Sequence, residues 1–66
     1  LVKRGDTYQL FFWDKNGWVS LGTQIATQKN VVFKNVPKNT LLVLRDLTRG
    51  KQERIFTYEN NQQVFW

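Results

Sequence analysis

The segment YQLFFWDKNGWVSLG, residues 8–22, constrains the fold more than any other part of the chain. Its apolar side chains alternate with a period of two, and in an extended strand successive side chains point to opposite faces. Tyr8, Leu10 and Phe12 share one side; Phe11 and Trp13 share the other. Asp14-Lys15-Asn16-Gly17 then breaks the alternation. Asp suits the first position of a turn, and Gly17 suits the left-handed residue that closes a type I turn with a bulge. The return strand runs from Trp18 to about Gln24. In this register Asp14 opposes Trp18, Trp13 opposes Val19 and Phe11 opposes Leu21. The spacing predicts a continuous apolar core face of Phe11, Trp13, Val19 and Leu21. It places Trp18 on the other face, with Tyr8, Phe12 and Ser20.

The remaining chain repeats the theme. Val31 to Val36 is β-branched and reads as a third strand, stopped at Pro37, which cannot donate a ladder hydrogen bond. Val36-Pro37-Lys38-Asn39 reads as a turn. Leu41 to Leu47 is apolar on both faces at first, as expected for a central strand. Thr48-Arg49-Gly50-Lys51 reverses the chain. Arg54 to Glu59 and Gln62 to Trp66 form a last hairpin about Asn60-Asn61, with Phe56 opposite Phe65 and Ile55 opposite Trp66. Helical spacing is absent, and the polar stretch Thr23 to Asn30 is left open between continuing a strand and looping out. The expected fold is all-β: a small antiparallel β-sandwich or open barrel of about six short strands, forming one domain over residues 1–66.

Composition excludes most chemistry. The 66 residues include no cysteine and no histidine, which removes disulfides, thiolate metal sites, Cys nucleophiles and the usual general base. The four glycines are isolated, so there is no phosphate loop. The five carboxylates are scattered and offer neither a calcium loop nor an acid/base couple. Asp46 and Glu53, beside Arg45, Arg49 and Arg54, read as cross-strand ion pairs. No enzyme activity, cofactor or metal is expected. The longest apolar run, Leu41 to Leu44, falls far short of the roughly 20 residues that span a bilayer.

Two features are left for function. The first is a net charge of +5, which attracts nucleic acid, anionic glycans or acidic partners. The basic residues are dispersed, however, and this disfavours a nucleic-acid groove. The second is the aromatic content, from which Trp18, Tyr8 and Trp66 are the candidate contacts for a ligand or partner. Exposed aromatic platforms with a few polar neighbours suit glycan binding.

The strings "YQLFFWDKNGWVSLG" and "VVFKNVPKNTLLVLRDLTRGKQERIFTYENNQQVFW" resemble the C-terminal β-domain that follows a transglutaminase-like, papain-fold domain in large secreted or surface proteins of gut-type bacteria. The likeness spans Tyr8 to Trp66. It departs at Asn61, where the pattern carries Gly; Asn tolerates the positive φ of such a turn. The resemblance implies an all-β accessory domain, an extracytoplasmic location and a native C-terminus at Trp66. The Cys-His-Asp chemistry of the neighbouring domain has no counterpart here. The start at Leu1, without methionine, likewise reads as a fragment of a larger protein. The leading expectation is a non-catalytic module that packs on or positions a neighbouring domain. Glycan binding is the alternative, and salt-dependent nucleic-acid binding by a basic barrel comes third. A weaker likeness to prealbumin-like sandwiches, through "VVFKNVPKNTLLVLR", supports only the fold.

Overall fold

The computed structural model describes residues 2–60 and 62–66; the side chain of Glu53 also lies outside the description. The chain is all-β, as expected. Its strands are β1 (Thr7–Asp14), β2 (Gly17–Ile25), β3 (Leu42–Asp46), β4 (Lys51–Glu59) and β5 (Gln62–Phe65). They form one open antiparallel sheet in the order β2-β1-β3-β4-β5. The described residues hold no helix, and so none long and apolar enough to cross a membrane.

The first hairpin departs from expectation by one residue. Asp14 pairs with Gly17 and Trp13 with Trp18, leaving only Lys15 and Asn16 in the turn. Gly17, at φ 145°, reaches a conformation closed to most side chains, and it serves as the first rung of β2 rather than as a bulge. The Asp14 carboxylate accepts the Lys15 amide at 2.8 Å and holds the turn. A slip of one residue transfers side chains to the other face. Phe11 and Trp13 therefore leave the core, and Tyr8, Leu10 and Phe12 enter it. Val19 and Leu21 remain on the core side, because Val19 now pairs with Phe12. Farther along, β2 carries an extra residue, with Leu21 and Gly22 opposite Leu10.

The core lies on this inner face. Rungs Phe12–Leu42–Phe56–Phe65 and Leu10–Leu44–Arg54 cross the sheet, with Tyr8 opposite Asp46 beyond them. Tyr8, Leu10, Leu42, Leu44 and Phe56 are buried together with Ala26. The phenolic oxygen of Tyr8 accepts the Lys3 amide at 2.6 Å. The last hairpin follows the expected register, with Phe56 opposite Phe65. The Trp66 amide donates to the Ile55 carbonyl at 2.9 Å, as the predicted Ile55–Trp66 pairing requires. The second residue of that turn, Asn61, lies outside the described residues.

The long β2–β3 connection contains no strand, contrary to the reading of Val31 to Val36. That segment keeps its alternation: Val31 and Phe33 are half-buried, while Val32 and Lys34 are exposed. It lies across the inner face, where Val31, Phe33 and Val36 pack on the core. Asn35 and Asn39, both at φ 58°, supply its reversals, a conformation that Asn tolerates better than most residues. Hydrogen bonds anchor the two ends. Ala26 exchanges bonds with Gly5 and Asp6, and the Asn39 amide reaches the Tyr58 carbonyl at 3.0 Å. One sheet with a covering loop thus does the work expected of a second layer.

Candidate functional site

Among the described residues no segment covers the outer face of the sheet in this way. Register places its side chains in two largely apolar rows, the first including Thr57 on β4 and the second ending at β1, where Ser20 of β2 stands opposite Phe11. One row is Trp18, Trp13, Leu41, Thr57 and Val64; the other is Phe11, Val43, Ile55 and Trp66. Val43 and Thr57 are buried within these rows, whereas Trp13, Trp18, Leu41, Val64 and Trp66 are exposed. A shallow cleft of about 220 Å³ lies between Phe11, Trp18, Val43 and Ile55, edged by Arg45 and Gln52. Gln9 stands beside it, its amide donating to the Ser20 hydroxyl at 2.7 Å. The face is therefore a flat apolar platform with one polar border.

The two tryptophans expected to have different fates share one. Trp13 is 45% exposed and Trp18 48%, and their rings meet edge to face with centroids 5.2 Å apart. Trp18 is on the surface, as expected of a contact residue. Trp66, 76% exposed, stands at the other end of the same face, with its indole N–H 3.4 Å from the Thr57 hydroxyl. Tyr8 is a correction: it is fully buried in the inner core and cannot meet a ligand. The slip in register that frees Trp13 is what buries Tyr8. Sequence reasoning missed Trp13, Phe11, Val43 and Ile55 as one surface. The signal available was the Trp13–Trp18 spacing, which puts the two rings opposite each other once the turn has two residues.

The charges around the β3–β4 turn serve structure. Arg49 donates to Asp6 at 2.9 Å and lies 3.8 Å from Asp46, its i−3 neighbour. Asp46 is fully buried, and one of its oxygens accepts the Arg49 amide at 3.1 Å. Burial pushes its carboxyl up. The neighbouring Asp6 side chain, the Arg49 and Thr48 amides and the Arg49 guanidinium outweigh that and hold it below its ordinary value of 3.8. The arginines flanking this turn are divided: Arg45 edges the outer cleft, Arg54 lies over Phe65 on the inner side, and Arg49 is spent on the two aspartates. Asp6 joins Asp46 as a partner of Arg49; the ion pair expected of Glu53 falls on a side chain outside the described residues. Among the described residues no group of acidic side chains is placed to hold a metal. No protein-family model, curated protein or solved structure matches the chain.

Proposed function

We propose that the chain is a non-catalytic accessory domain of a larger extracytoplasmic protein, and that it docks on a neighbouring domain through its outer sheet face. The observation that carries this reading is the pair of largely apolar rows on the outer face, over which no described segment is laid. Contiguous apolar patches of this kind mark interaction surfaces, and Trp is enriched where such surfaces meet a partner. Among the described residues the β2–β3 connection covers the inner face, and no comparable segment lies over the outer one. The extracytoplasmic setting and the transglutaminase-like neighbour rest on sequence resemblance. Comparing backbone amide shifts in the isolated domain and in the parent chain tests the docking. Changes concentrated at Trp13, Trp18, Ile55 and Val64 are expected. Identical spectra for the domain alone and in the parent would overturn the reading.

A glycan-binding role is the second reading. It is favoured by the exposure of Trp18 and Trp66 on one face, next to the hydrogen-bonding border of Gln9, Arg45 and Gln52. Tryptophan fluorescence titrated with neutral and acidic oligosaccharides tests it. A saturable change that Trp18→Ala abolishes would support glycan binding, and flat titrations would end it.

A further inference from the structure

The inner face carries a second site, unrelated to the docking surface. A groove of about 390 Å³ opens between the covering loop and the β4–β5 end of the sheet. That volume is in the range of single small-molecule sites. Val31, Phe33 and Val36 form the loop wall, and Phe56 and Phe65 line the sheet side. The rungs that place Phe56 opposite Phe65 extend the apolar inner face beyond what the loop fills.

Two cations converge on this apolar space: Lys29 from the loop and Arg54 from β4. The Arg54 guanidinium stands 5.0 Å from the centre of the Phe65 ring. Among the described residues no carboxylate lines the groove. Asp6 and Asp46 surround Arg49, Asp14 holds its turn, and Glu59 accepts from the Thr57 hydroxyl on the outer face. The groove therefore combines an apolar body with a positive rim that these four carboxylates leave uncompensated. Its outer wall is also adjustable. Between residues 27 and 38 the loop makes no backbone–backbone hydrogen bond among the described residues, so its inward-facing side chains hold it down. Such a segment can rise without breaking the sheet ladders.

We propose that this groove binds a free amphipathic anion, a carboxylate on an apolar body such as a fatty acid. The apolar body lies along Phe33, Phe56 and Phe65, and the head is held by Lys29 and by Arg54, whose planar fork matches a carboxylate. The test is an NMR titration of the 66-residue chain with decanoate below its micellar concentration, and in parallel with decanol. Saturable shifts at the Phe33, Phe56, Tyr58 and Phe65 amides are expected, with Trp13 and Trp18 unmoved. Lys29→Gln and Arg54→Gln, both at exposed positions, should each weaken decanoate by about tenfold while preserving the spectrum of the free protein. The proposal is overturned if no saturable shift occurs, if decanol binds as tightly as decanoate, or if the shifts fall on the outer face. A short peptide ending in Leu-Phe carboxylate that binds more tightly than decanoate would overturn the assignment to a free fatty acid.

Discussion

Trp13 and Trp18 face each other across the β1–β2 turn, with ring centroids 5.2 Å apart and planes at 68°. Edge-to-face pairs of this kind contribute about 0.5–1.5 kcal/mol beyond the area they bury. Both rings are nearly half exposed. Trp13→Ala and Trp18→Ala should therefore each cost about 1–2 kcal/mol, with a coupling of about 1 kcal/mol in a double-mutant cycle. Urea unfolding measures all three. A loss of about 3 kcal/mol or more at Trp13 alone would return that ring to the core.

Leu42 behaves in the opposite way. It is fully buried at the centre of the inner face, between Phe12 on β1 and Phe56 on β4. Leu42→Ala should cost about 2–5 kcal/mol, the usual effect of emptying a core leucine site. In a domain of this size that loss approaches the whole stability margin. Far-UV circular dichroism during thermal unfolding should show a large fall in the midpoint or an unfolded chain.

Gly22 tests the backbone alone. It has φ 102° in the β2 bulge, and a Cβ at this position would meet nothing within 4 Å. Gly22→Ala should still destabilise by about 1–3 kcal/mol, because only the backbone conformation is penalised. An unchanged urea midpoint would mean that the bulge is not required.

The Asp6–Arg49–Asp46 group predicts acid sensitivity. The Asp46 carboxyl is held below 3.8 in the folded chain. A depressed carboxylate contributes stability above its unfolded value and loses it as pH falls through the lower, folded value. From this group the urea midpoint should be level down to about pH 5 and should fall below about pH 4. Arg49→Gln removes the cation that faces both carboxylates, so it should lower the midpoint at neutral pH and move the onset of acid loss upward. A variant whose pH profile overlays the wild type would show that Arg49 does not hold the pair.

The sequence by itself determined that this is an antiparallel β protein without cysteine or histidine. Alternation, turn residues and the lack of cysteine and histidine are local properties, and they carry into any tertiary arrangement. They placed the last hairpin correctly, down to Phe56 opposite Phe65. What they could not decide was which face of β1 turns inward, because Tyr8, Leu10 and Phe12 are as apolar as Phe11 and Trp13. That choice hung on whether Gly17 bulges or pairs, a difference of one residue that exchanges the faces and with them the candidate site. Nor could alternation tell a strand from the covering segment Val31–Val36. Period-two burial requires only an extended chain against an apolar surface, whereas a strand also needs a neighbour's free hydrogen-bonding edge. The tertiary structure laid this segment across the inner face, where no such edge exists, and thereby left the outer face, with both hairpin tryptophans, open.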